Sequence, residues 1–101
     1  MFGKLGDMMG KLQEMKQRAD EIKTKLGTVV IKSEAADGDV KIEITGNRVV
    51  KSISISAALQ HGDKENLENL MVLAINKAII AADKVNEEEM KKAASGMLPG
   101  L

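Results

Sequence analysis

The sequence predicts an α+β fold in which two long helices flank a three-stranded antiparallel sheet, in the order α-β-β-β-α. Three observations predict it. Apolar residues recur every three or four positions over residues 5–26, which is the spacing of a helix with one apolar face. Short β-branched runs over residues 28–56 are separated by Asp37-Gly38 and Gly46-Asn47, two dipeptides typical of turns. A second apolar pattern with helical spacing begins after Asp63.

The first helix is expected over residues 5–26, with Gly27 as its C-terminal cap. Its apolar residues keep heptad spacing and form one seam, which consists of Leu5, Met8, Leu12, Met15, Ala19, Ile22 and Leu26. Cations border the seam on both sides, at Lys4, Lys11, Lys16, Arg18, Lys23 and Lys25. Two copies of such a helix would set like charges against each other in a coiled coil. We therefore expect this helix to pack on something other than its own copy, or to present its cations to a polyanion.

Three strands are expected, over residues 28–33, 40–45 and 48–56. In the second strand, Val40, Ile42 and Ile44 alternate with polar residues, which indicates one buried face. Gly46-Asn47 predicts a two-residue hairpin turn of type II′ or I′. In the third strand the alternation breaks, so a β-bulge near Val50 is expected to restore the register.

The second helix is expected to begin at Asp63, a favourable N-cap residue. Its main apolar face is formed by Leu67, Leu70, Met71, Ala74, Ala78, Ala81 and Val85. Further apolar residues lie nearly all round this helix, whereas one sheet covers only one side. The sequence therefore predicts that a partner, most simply a second copy of the chain, covers the remainder. A single domain is expected over residues 1–101, with residues 93–101 as a flexible tail.

The composition limits the possible functions. Fifteen Lys and Arg balance fifteen Asp and Glu, which excludes a globally basic protein but not a locally basic surface. The chain has no cysteine, so disulfides, thiolate metal sites and cysteine nucleophiles are excluded. No catalytic constellation or cofactor motif is present, and we expect no enzyme activity, cofactor or small-molecule substrate. The first ten residues do not read as a signal peptide, and no apolar run approaches the roughly 20 residues of a membrane span. A cytoplasmic protein without a membrane partner is expected.

Several segments, taken in order, carry a resemblance to a known family. They are Met1-Phe2-Gly3-Lys4, the Met-, Gln- and Lys-rich first helix, the Asp37-Gly38 turn, Leu67-Glu68-Asn69-Leu70, Ala74-Ile75-Asn76-Lys77-Ala78 and the closing Ser95-Gly96-Met97 with Pro99-Gly100. Over almost the whole chain this set resembles the YbaB/EbfC family of bacterial nucleoid-associated proteins. The resemblance implies a tweezer-like homodimer that binds double-stranded DNA in the nucleoid with low or modest sequence preference. The chain departs from the family at Ile55-Ser56-Ala57, where an Ile-Asp-Pro turn is common.

The candidate DNA-binding residues are Lys4, Lys11, Lys16, Arg18 and Lys25 in the first helix, with Lys23 ranked behind them, and Lys84, Lys91 and Lys92 in the second helix. The alternative for all of them is a solvated, self-neutralised surface. Acids precede bases by four residues at Asp7–Lys11, Glu14–Arg18 and Glu21–Lys25, and Glu87, Glu88 and Glu89 lie among the later lysines. The cations of the first helix lie together on the seam side while the acids turn away, which favours contacts with phosphates.

Duplex DNA fits these residues better than single strands, because stacking on bases needs aromatic residues and Phe2 is the only one. Base reading is expected to be poor, since the first helix has one arginine and no asparagine, although Gln13 and Gln17 could reach base edges. The alternative function is a homodimeric protein–protein interaction module, in which the N-terminal heptad helix docks a partner protein.

Overall fold

The computed structural model describes the backbone of residues 2–97 and the side chains of residues 6–95. Its elements are α1 (Phe2–Thr28), β1 (Val30–Ala35), β2 (Val40–Thr45), β3 (Val50–Ile55), the short helix α2 (Ala57–Gln60) and α3 (Lys64–Met97). The strands form one antiparallel sheet in the order β1-β2-β3. This architecture confirms the predicted α+β fold. Because the two long helices extend from one end of the sheet, the chain is elongated, with extents of 70 × 21 × 20 Å.

The core lies between the sheet and α3. Val40, Ile42 and Ile44 are fully buried on one face of β2, which confirms the predicted alternation. They pack against small residues of α3, at Ala74, Ala78 and Ala82. Small side chains let the helix backbone approach the sheet closely. The predicted face was wrong at one position, because Ala82 is buried in the core and Ala81 is only half-buried.

α1 ends differently from the prediction. Gly27 is not a left-handed cap, because the helix continues through Thr28 and β1 begins two residues later than expected. The last carbonyl groups of α1 are satisfied by the β2–β3 loop instead. The Gly46 amide donates to the Leu26 carbonyl at 3.0 Å, and Asn47 Nδ2 donates to the Lys23 carbonyl at 2.7 Å. This loop therefore caps the end of α1 in the way that a C-terminal glycine otherwise would.

The hairpin loop between Thr45 and Val49 has three residues, 46–48, rather than the predicted two. The Arg48 amide donates to the Thr45 carbonyl at 3.0 Å, and the Thr45 amide donates to the Val49 carbonyl at 2.8 Å. Arg48 takes the left-handed conformation, with φ of 64°, whereas Gly46 does not. A type I turn followed by one left-handed residue is a common three-residue hairpin. The prediction of a II′ or I′ turn was wrong because both types require a positive φ at Gly46.

The register of β3 confirms the predicted bulge. Glu43 pairs with Ser52 and Ile44 pairs with Val50, so Lys51 is the extra residue on β3. Beyond the bulge, Ile53 lies opposite Ile42 and on the same face of the sheet. The bulge thus brings the apolar residues of β3 to the face that carries the core.

The end of the chain also differs from the prediction. Residues 93–97, which were expected to begin a flexible tail, continue α3 as helix. The remaining residues of the predicted tail, 98–101, lie outside the described residues. The sequence did not predict α2, which begins at Ala57, the last residue of the segment that departs from the family pattern.

Candidate nucleic-acid interface

α1 runs back along the C-terminal half of α3 and then continues past its end. A groove of about 190 Å³ separates the two helices and is lined by Met15, Arg18, Ala19, Ile22, Met90, Ala93 and Ala94. At the inner end of α1, Leu26 is fully buried and Ile22 is half-buried. At the outer end, Met8 and Leu12 are 61% and 62% exposed. The seam therefore packs only at its inner end, and α1 as a whole is a projecting arm whose outer half keeps its seam exposed.

Three lysines lie exposed along the arm, at Lys11, Lys16 and Lys23. Among the side chains that the structure describes, none of the three has a carboxylate oxygen within 4.0 Å. The expected pair of Lys11 with Asp7 is therefore not formed. These ammonium groups are solvated, and an approaching anion can reach them without displacing a partner.

Two further cations of α1 are held by carboxylates. Arg18 Nη2 lies 3.4 Å from Glu14 Oε1, as the spacing of these residues predicts. Lys25 Nζ lies 3.1 Å from Glu89 Oε2 of α3, instead of pairing with Glu21 of its own helix. The Arg18–Glu14 pair is exposed on both sides, and exposed pairs contribute about 0–1 kcal/mol. In the Lys25–Glu89 pair only the lysine is exposed. The Lys4 side chain lies outside the described residues.

The lysines of α3 fall into two groups. Lys92 Nζ lies 3.7 Å from Glu89 Oε1, near the contact with α1. Lys84 and Lys91 are seven positions apart and share one stripe of the helix, whereas Met90 and Ala94 lie on the side that faces α1. Lys92 therefore joins Lys25 of α1 at Glu89, whereas neither Lys84 nor Lys91 has a carboxylate oxygen within 4.0 Å among the described side chains.

Sequence reasoning missed the role of Glu89 in this region, because Glu89 stands in one run of acids with Glu87 and Glu88. Its side chain is only 18% exposed. The hydrogen bond from Lys25 is the main cause that lowers the pKa of Glu89; partial desolvation opposes it, and the charges of Lys25 and Lys92 add to it. A sequence signal was available, since Glu89 continues the buried stripe of Ala78 and Ala82 at helical spacing.

The β2–β3 loop sets the direction of the arm. Besides the bond from Asn47 to the end of α1, the Arg48 guanidinium forms an ion pair with Asp83 of α3. Asn86 Nδ2 donates to the Gly46 carbonyl at 3.4 Å. The loop is thus tied to both long helices, and the arm extends from a fixed base.

The described residues support neither a metal site nor a membrane-spanning helix. No three His, Asp or Glu side chains of residues 6–95 cluster as metal ligands. No helix in the described part of the chain is both long and apolar enough to cross a membrane.

Fold and surface together define a class of small α+β protein that carries solvated cations on a projecting helix. A family model described as the YbaB/EbfC DNA-binding family matches residues 1–97, and the chain belongs to that family. A protein of Flavobacterium johnsoniae named nucleoid-associated protein is 46% identical over 94 residues, which cover 93% of this chain and 88% of that protein. The crystal structure of an uncharacterized protein from Helicobacter pylori matches with a TM-score of 0.69 at 24% identity, over 89% of this chain and 91% of that chain. The similarity to the Helicobacter pylori structure supports the fold.

Proposed function

We propose that this protein is a nucleoid-associated protein of the bacterial cytoplasm that binds double-stranded DNA mainly through phosphate contacts, with low or modest sequence preference. The observation that carries the proposal is the set of solvated lysines on the arm, Lys11, Lys16 and Lys23. The DNA-binding description of the family and the name of the Flavobacterium relative support it.

Phosphate contact follows from the kinds of side chain on the arm. Lysine is a flexible point charge that neutralises phosphates, whereas bidentate reading of bases uses mainly arginine, asparagine and glutamine. The single arginine of the arm, Arg18, is already engaged by Glu14, and Gln13 and Gln17 are the only amide side chains of α1. Binding should therefore depend on the charge of the duplex and only weakly on its sequence.

The proposed contact residues differ in how readily they reach DNA. Lys11 and Lys16 meet phosphates first, and Lys23, which has the same solvated environment, joins them. Arg18, Lys25 and Lys92 must leave a carboxylate before they bind phosphate. Lys84 and Lys91 are exposed on α3, and they extend the surface if the duplex also reaches that part of the helix. Lys4 continues the basic border of the seam in sequence.

We also propose that the protein is a homodimer joined at an uncovered apolar surface beside β3. This surface, the β3 trough, consists of Val50, Ile53 and Ile55 of β3 with Val72 and Ile75 of α3. Ile53 is 44% exposed, although it lies opposite the core residue Ile42, and Val72 is 61% exposed.

The position of α3 explains why the trough is open. α3 packs over β1 and β2, and Lys77 Nζ reaches the Glu34 carbonyl of β1 at 2.8 Å. Val72 lies on the same stripe of α3 as Asp83, which meets Arg48 at the start of β3. The inner face of β3 and this side of α3 therefore border one surface, and a second copy would bury it. Two copies joined there would carry two arms, which the family's tweezer-like shape requires.

Charge-removing variants test the DNA contact. The variant K11Q/K16Q/K23Q removes the three solvated lysines of the arm, and K32Q/K41Q/K51Q removes three exposed lysines of the sheet as a matched control. Fluorescence anisotropy with two duplexes of unrelated sequence should show weaker binding of both to the arm variant, and nearly unchanged binding to the control. Equal losses in the two variants would contradict an interface on the arm.

A second function, docking of a partner protein, is favoured by one specific observation. Met8 and Leu12 are exposed on the arm, where no described side chain covers them. An amphipathic partner helix could lie on this apolar surface. A chain that has no duplex affinity at low salt would favour this second function.

A further inference from the structure

Two cations from different helices meet at one carboxylate. Glu89 Oε2 lies 3.1 Å from Lys25 Nζ of α1, and Glu89 Oε1 lies 3.7 Å from Lys92 Nζ of α3. Each carboxylate oxygen thus faces one ammonium group. The two lysine side chains are 62% and 75% exposed, whereas Glu89 is 18% exposed. The carboxylate is the inner member of the cluster, and the lysines lie between it and solvent.

A DNA phosphate group has the chemistry to replace this carboxylate. Both are anions with oxygen acceptors, and an ammonium group has three N–H donors that can turn from one acceptor to the other. The lysines are exposed enough to follow an approaching phosphate while their stems remain in place. Glu89 cannot follow, because its own side chain is largely covered.

We propose that Glu89 competes with DNA phosphate for Lys25 and Lys92 and so weakens duplex binding at the junction of α1 and α3. This inference rests on the proposed function. Binding through Lys25 and Lys92 must first break their contacts with Glu89, and the fixed negative charge also repels the phosphate. The carboxylate therefore acts as an autoinhibitory contact built into the interface.

The variant E89Q tests the proposal, because it keeps the size of the side chain and removes its charge. The matched control is E68Q on the same helix. Glu68 pairs with Lys64 at 3.6 Å near the opposite end of α3, and its loss changes the net charge by the same amount. At fixed salt, E89Q should bind duplex DNA several-fold more tightly than the wild type, whereas E68Q should stay within about twofold of it.

The salt dependence shows whether the freed lysines are the cause. If both engage phosphates in E89Q, the slope of log K against log salt should steepen by roughly 1.8, at about 0.9 per phosphate. The gain from E89Q should vanish in the K25Q/K92Q background. A gain that persists there would overturn the proposal, since it would come from net charge alone.

The remaining outcomes separate this inference from the proposed function. If the wild type binds duplex DNA and a folded E89Q binds no more tightly, only the inference is overturned. If the wild type has no duplex affinity at low salt, the proposed function is overturned as well. Circular dichroism checks that E89Q is folded, and Leu26 and Asn47 hold the end of α1 independently of Glu89.

Discussion

Leu26 packs directly on Gly46, so that a β-carbon added at residue 46 would lie 2.7 Å from Leu26 Cδ2 and 3.1 Å from the Leu26 carbonyl oxygen. The Gly46 amide donates to the same carbonyl. This contact joins the last turns of α1 to the β2–β3 loop, and the loop is tied in turn to α3 through Arg48 and Asp83. The base of the arm therefore requires glycine at residue 46 because of close approach, not because of a positive φ.

Replacing Gly46 by alanine should destabilise the protein by about 1–3 kcal/mol, the range for overpacking in a well-packed region. Gly10 gives a matched control, because it lies inside α1 and an added β-carbon there meets nothing within 4 Å. Gly10→Ala should stabilise the helix by about 0.5–1 kcal/mol. Thermal unfolding of the two variants measures both effects, and similar shifts in the same direction would contradict the packing argument.

The β3 trough should be the surface that joins two copies. The variant I53K places a charge in the trough, whereas S54K places the same charge on the opposite face of the same strand. Sedimentation should give the mass of a monomer for I53K and that of a dimer for both S54K and the wild type. A dimeric I53K would exclude the trough as the interface.

The contact between α1 and α3 should weaken in acid. The pKa of Glu89 is lowered from its usual 4.5, mainly by the hydrogen bond from Lys25. A carboxyl with a lowered pKa in the folded state contributes stability that is present above its unfolded value and is lost as pH falls through the lowered value. The wild type should therefore lose more stability than E89Q between pH 5 and strongly acidic pH. Thermal unfolding against pH measures this difference, and parallel curves would contradict it.

Patterns among neighbouring residues in the sequence predicted the buried face of β2, the bulge in β3 and the two long helices. The alternation of Val40, Ile42 and Ile44 predicted the buried face of β2, and the break after it predicted the bulge that the register places at Lys51. These predictions succeeded because the two-residue period of a strand fixes which face each side chain occupies. The existence of both long helices followed from periodicity in the same way.

The parts that failed depend on contacts between residues far apart in sequence. Gly27 was predicted to cap α1 from its residue type, but Gly46 and Asn47 satisfy the last carbonyls. The spacing of α1 paired Lys25 with Glu21, whereas the folded chain brings it to Glu89, 64 residues away. Within the candidate site, sequence reasoning therefore identified the cations but not which of them stay solvated, because that depends on where α3 lies.

The most direct test of the account is the salt dependence of duplex binding by the wild-type protein, measured with two duplexes of unrelated sequence. If Lys11, Lys16 and Lys23 neutralise phosphates, log K should fall with log salt with a slope of at least about 2.7 in magnitude, at about 0.9 per phosphate. The two duplexes should give similar affinities and slopes. A slope near zero, or tight binding of only one of the two sequences, would contradict the central claim that the arm binds DNA by its phosphates.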